Sequence, residues 1–82
     1  MIKIYRQSVR HSAPDDRGAR LTVIGEVETL EFEGSAIAAA EYLETRIPIG
    51  ASVAVRHAGG LRSCMNKPSL WLDVRSYREI PQ

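Results

Sequence analysis

Apolar and polar positions set the outline of this chain before any motif does. Ile2 and Ile4 alternate with Lys3 and Tyr5, the period-two pattern of a half-buried strand, because successive side chains leave a strand on opposite faces. Residues 12–19, SAPDDRGA, combine Pro, two Asp and Gly and predict an exposed turn. Leu21 and Val23 resume the alternation, then Leu30 and Phe32 carry it between Glu31 and Glu33. The apolar set has moved there from odd to even positions. A slip of one residue turns every side chain to the other face, so a bulge or tight turn belongs in between, and Gly25 is its natural place. One bent strand or two separate ones both satisfy the pattern.

The period then changes to 3.6. Ser35 can cap a helix, and Ala36–Ile47 contains neither Gly nor Pro. Ala36, Ala40, Leu43 and Ile47 form one stripe, while Glu41 and Glu44 fall on the opposite side. Pro48 ends the segment, and Arg46 suits the negative end of the helix dipole. A strand follows over 51–58, with Val53 and Val55 on one face and Ala54 and Arg56 on the other, and Gly59-Gly60 turns it. Leu61 to Met65 can pair, and Asn66-Lys67-Pro68-Ser69 reads as another turn. Leu70, Leu72 and Val74 alternate with Trp71, Asp73 and Arg75, which predicts a last strand running on to Tyr77. The expected fold is therefore α+β. A small, mostly antiparallel sheet of four to five strands, in the order β-β-α-β-β, carries one helix (about 36–47) on one face. Residues 1–82 make one compact domain.

Charge changes this picture. The formal net charge is only +1, yet residues 26–45 contain Glu26, Glu28, Glu31, Glu33, Glu41 and Glu44 and not one Lys or Arg. The segments on either side are basic. Such a block can serve as a negative patch that occupies another protein's basic groove, although alternating glutamates are also the ordinary solvent side of a strand. Arg outnumbers Lys nine to two and Ala is plentiful, as a GC-rich genome produces, which points to a bacterium or its phage. The N-terminus lacks the apolar run of a signal peptide, and nothing approaches the roughly 20 apolar residues of a membrane span. Cys64 is the only cysteine, so no internal disulfide forms and a reducing setting is expected. The expected location is the cytoplasm, that of the host if the chain is phage-encoded, with no membrane partner.

Candidate chemistry is sparse. His11, His57, Cys64, Asp15 and Asp16 lack metal-ligand spacing, because zinc needs four close ligands. A nucleophilic Cys64 needs a base, and His57 is the sole neighbour that a hairpin brings near. Gly59-Gly60 opens no helix and so is not a phosphate cradle. No catalytic, cofactor-binding or metal residue is assigned, and the chain is expected not to be an enzyme. The uncovered sheet face is the better prospect. With the valines and leucines buried, it is expected to present Lys3, Tyr5, Arg56, Trp71, Asp73, Arg75 and Tyr77. Aromatic rings beside Arg suit a protein interface or a single-stranded nucleic acid. The near-neutral total disfavours the second, since phosphate contacts demand basic excess.

Size and layout resemble those of many stand-alone accessory proteins: phage-encoded inhibitors of host defence (anti-CRISPRs among them), immunity proteins and small regulators. The expected function is accordingly a small non-enzymatic binding protein that occupies a site on a larger macromolecular machine. A phage or mobile-element inhibitor of a host nucleic-acid-handling complex is its sharper form. The contact surface is expected to be the six glutamates or, alternatively, Tyr5, Arg56, Trp71, Arg75 and Tyr77. The second reading is a small nucleic-acid-binding module that uses this aromatic and Arg sheet face. A homodimer through the same face is a third arrangement.

Overall fold

A computed structural model describes residues 1–11 and 23–81, with side chains for 1–8 and 28–81. The turn expected at 12–19 and the apolar Leu21 lie outside the described residues, as do the side chains of His11, Val23 and Glu26. The fold is α+β, with β1 (Ile2–His11), β2 (Val23–Gly34), α1 (Ala36–Arg46), β3 (Ser52–His57), β4 (Gly60–Met65) and α2 (Pro68–Arg75). All four strands pair antiparallel, in the sheet order β2-β1-β3-β4. The order β-β-α-β-β is as expected from the sequence, and a second helix follows it.

That second helix corrects the strand expected over 70–77. In eight residues, Leu70, Leu72 and Val74 fit a period of two, but Leu70 and Val74 fit i, i+4 equally well. Pro68 opens the helix, where its missing N–H costs nothing and its fixed φ is already helical. Leu70 and Val74 are fully buried and Trp71 packs against the core, whereas Leu72 points to solvent. The fourth strand is instead 60–65, joined to β3 through a tight turn in which His57 pairs with Gly60. Gly60 has φ +124°, a conformation that a side chain would strain.

α1 forms where its pattern predicts. The Ser35 hydroxyl accepts a hydrogen bond from the Ala38 N–H at 3.1 Å, satisfying one of the orphan donors of the first turn. Ala36, Ala39, Ala40, Leu43 and Ile47 are buried, and the small alanines let the helix axis lie close to Ile2 and Ile4 of the sheet. Val53 and Val55 complete this face with Leu70 and Val74. Burial of a side chain such as Leu43 contributes about 1.5–3 kcal/mol.

β2 is one continuous strand with two register shifts. Ile4 lies opposite Phe32 but Tyr5 lies opposite Leu30, so Glu31 is an extra residue, and a second shift falls beside Gly25, between Arg10 and His11. The bulge at Glu31 separates Leu30 from Phe32: Phe32 turns toward α1 and stacks on Tyr42 with ring centroids 4.9 Å apart. Leu30 shares the opposite face with Tyr5. β1 pairs with β3 over Lys3–Arg6, so beyond these residues β1 and β2 run on together as a two-stranded ribbon.

Candidate interaction surfaces

Both helices cover the same side of the sheet. Arg62 and His57, whose side chains share the face of Val55 and Val53, reach α2 and the residues after it. The Arg62 guanidinium donates to the Asp73 carboxylate and to the Tyr77 hydroxyl, the latter at 3.0 Å. Hydrogen bonds to Tyr77 and Asp73 raise its pKa above the ordinary arginine value. The His57 and Tyr77 rings stack with centroids 3.9 Å apart. His57 Nδ1 accepts from the Gly59 N–H at 3.1 Å, which leaves Nε2 to carry the proton of the neutral ring. This cluster fastens the segment after α2, and Ala58 N–H donates to the Arg78 carbonyl at 2.8 Å.

The expected aromatic and Arg set is thereby divided. Tyr5 and Arg56 are on the uncovered face. Tyr77 is engaged by His57 and Arg62, and Arg75 lies 3.9 Å from Glu44. Trp71 is half-buried, and its indole N–H donates to Asn66 Oδ1 at 2.7 Å.

The six glutamates are divided too. Glu28 and Glu33 project from β2 on the uncovered face. Glu31, at the bulge, turns to the other side, where it accepts from Arg6 at 3.0 Å and from the Tyr42 hydroxyl at 3.4 Å. Glu41 and Glu44 lie on the outer side of α1, and Glu41 borders a groove of about 230 Å³ with Phe32, Tyr42 and Arg46. Part of the acidic block faces basic β1, with Glu33 opposite Lys3 and Glu31 paired with Arg6, and opposite charges across a strand pair are favourable.

Asn66 is the residue that sequence reasoning missed, taking it for part of a turn. It is the sole fully buried polar side chain among the described residues, and every one of its polar groups is used. Nδ2 donates to the Leu43 and Ile47 carbonyls at 2.7 and 2.9 Å, groups at the end of α1 that run short of helical donors. Its backbone N–H donates to Ala51 and its carbonyl accepts from Gly50. The preceding strand and the following Pro68 were its only signal.

Cys64 and His57 do not meet. Cys64 pairs with Val53 and His57 with Gly60, which sets them at opposite ends of the hairpin, about 13 Å apart along the strand. Among the described residues no group of three or more His, Cys, Asp or Glu side chains could hold a metal ion. Nor is any described helix long and apolar enough to cross a membrane.

Three rows cross the uncovered face. One runs Glu33, Lys3, Arg56, Leu61; the next Leu30, Tyr5, Ala54, Ser63; the third Glu28, Gln7, Ser52, Met65. In the third row Gln7 donates to Glu28, and Ser52 donates to Gln7, both at 3.2 Å. Leu30, Leu61 and Met65 are 45, 51 and 60% exposed. Apolar side chains thus share this surface with charges of both signs. Compared with known protein families, with curated proteins and with solved structures, the chain has no match.

Proposed function

We propose that the chain is a non-enzymatic binding protein that docks on a larger macromolecular partner, itself a protein, through the uncovered face of its sheet. The observation that carries this reading is the placement of Leu30, Leu61 and Met65. Three large apolar side chains are left in water on the one face that neither helix covers, around Tyr5 and a buried Ala54. Protein interfaces combine an apolar, aromatic centre with a polar rim, and Glu28, Glu33, Lys3 and Arg56 supply that rim. A nucleic-acid platform retains less support, since of its proposed aromatic residues only Tyr5 is on this face.

The experiment compares the unmodified chain with the double variant Leu61→Glu/Met65→Glu. Both side chains are more than half exposed, so folding stability should stay within about 0.5 kcal/mol. Capture of specific proteins from a lysate of the source organism should fall sharply. Ile37→Glu and Ile49→Glu, at exposed apolar positions outside the sheet, should leave capture intact. Equal loss from all variants, or no loss from the sheet variant, removes the open face from the function. Light scattering on the same samples identifies a second copy of the chain as the partner if the mass doubles and the sheet variant restores the monomer.

A further inference from the structure

A pocket of about 520 Å³ lies where β1 begins and β3 ends, lined by Lys3, Arg56, His57, Ala58, Gly60, Ile80 and Pro81. The tail after α2 forms one wall and is held there by backbone hydrogen bonds. Ala58 N–H donates to Arg78 at 2.8 Å and Ile80 N–H to Met1 at 3.1 Å. The other wall is cationic. Lys3 and Arg56 are direct cross-strand partners, a like-charge pairing that costs stability. Among the described residues neither takes part in an ion pair. Glu33 is the other cross-strand neighbour of Lys3, yet no salt bridge joins them. Glu79, next to Ile80 of the pocket wall, lies 3.4 Å from the Met1 ammonium.

We propose that this pocket binds a phosphate monoester carrying an apolar body. Two cations side by side match a dianion better than a carboxylate's single charge, and a phosphate monoester is dianionic above its second pKa of about 6. The Arg56 guanidinium supplies a fork of donors suited to phosphate oxygens and Lys3 a compact charge. Ala58, Ile80 and Pro81 offer the organic part an apolar surface. Binding relieves the repulsion between Lys3 and Arg56. The inference goes beyond the sheet-face reading: it shares Lys3 and Arg56 with that surface's rim, but it needs no macromolecular partner and none of Leu30, Leu61 and Met65.

The test is a titration followed by amide chemical shifts at about pH 8, where the ester is a dianion. Phenyl phosphate, inorganic phosphate and benzoate serve as separate probes. Phenyl phosphate should give saturable shifts in the millimolar range or below, centred on Ala58, Gly59, Gly60 and Ile80. It should bind more tightly than inorganic phosphate, which lacks the apolar body, and than benzoate, which lacks the second charge. Lys3→Gln and Arg56→Gln should each weaken it by roughly tenfold or more, the loss expected for a charge-assisted hydrogen bond. Both variants remove a like-charge contact, so their thermal stability without ligand should equal or exceed that of the unmodified chain. Arg46→Gln, in the groove beside α1, should bind as before. Overturning results are equal affinity for phenyl and inorganic phosphate, unchanged binding by Arg56→Gln, or shifts spread evenly to Arg46 and Arg75.

Discussion

Replacing Asn66 with Ala is expected to be among the costliest single changes in this domain. The substitution removes both donors that reach the Leu43 and Ile47 carbonyls at 2.7 and 2.9 Å, and the acceptor of the Trp71 indole N–H at 2.7 Å. A buried polar group left without a partner costs about 1–3 kcal/mol. Trp71 is only half-buried and recovers part of its loss from water, so the total comes to about 3–5 kcal/mol. Single domains of this length have roughly 4–12 kcal/mol to lose. Urea unfolding followed by far-ultraviolet circular dichroism reads the difference without relying on Trp71 fluorescence. The melting temperature should fall by at least about 12 °C. A double-mutant cycle separates this account from simple loss of packing. Trp71→Phe alone should cost about 1–2 kcal/mol, because it leaves Asn66 Oδ1 unpaired in the interior. In the Asn66→Ala background the indole has already lost its acceptor, so the same change should cost about 1 kcal/mol less. A cost below about 1 kcal/mol for Asn66→Ala, or additivity within about 0.5 kcal/mol, refutes the reasoning and returns Asn66 to the status of a turn residue.

Two further perturbations probe the ends of the helical layer. Ser35→Ala removes the hydroxyl that caps Ala38 N–H and should cost about 1 kcal/mol, while Ser35→Asp should restore most of it; equal stability of all three proteins in urea would deny the cap any role. Tyr77→Ala deletes the ring that stacks on His57 and the hydroxyl that Arg62 engages. Hydrogen exchange at the Ala58 amide, which donates to Arg78, should then speed up while Val53 and Val55 stay protected. Unchanged exchange at Ala58 would mean that the segment after α2 is held without this cluster.

The elements that were legible in the sequence share one property: length relative to the period that identifies them. α1 offers a cap, an uninterrupted run and a buried stripe over three turns, so only a helix satisfies Ala36, Ala40, Leu43 and Ile47 together. Segment 68–75 is two turns long, and Leu70 and Val74 belong to both a strand and a helix pattern. Pro68 after Lys67 was the available discriminator, because proline suits a first helical turn and gives nothing to a sheet. At β2 the expected parity change does fall beside Gly25, but a second bulge follows that the sequence did not announce. It lies at Glu31, where it turns a carboxylate toward Arg6 and Tyr42, and nothing local in the sequence reports a partner 25 residues away. The candidate surfaces were less legible still. Which side chains share the uncovered face depends on bulge position and strand pairing, both set by long-range contacts.

The charge pattern shows how topology can reverse a sequence-level impression. Along the chain, basic, acidic and basic segments follow one another, which suggests a molecule with poles. Antiparallel pairing folds the acidic β2 against the basic β1, and Arg6 with Glu31 and Lys3 beside Glu33 turn segregation into neighbourhood. Glu44, at the far end of the acidic block, meets Arg75 of α2. Glu31 and Glu44 of the block are thus paired inside the domain, while Glu28 and Glu33 stay on the open face. What remains is local. The strand order β2-β1-β3-β4 gives Lys3 an acid on one side and Arg56 on the other. Arg56 faces Lys3 and Leu61, so pairing within the sheet gives it no acid at all. Lys3 and Arg56 therefore stand side by side at the end of the sheet where β3 turns and the segment after α2 closes a pocket, and there the sheet's own pairing leaves room for an anion.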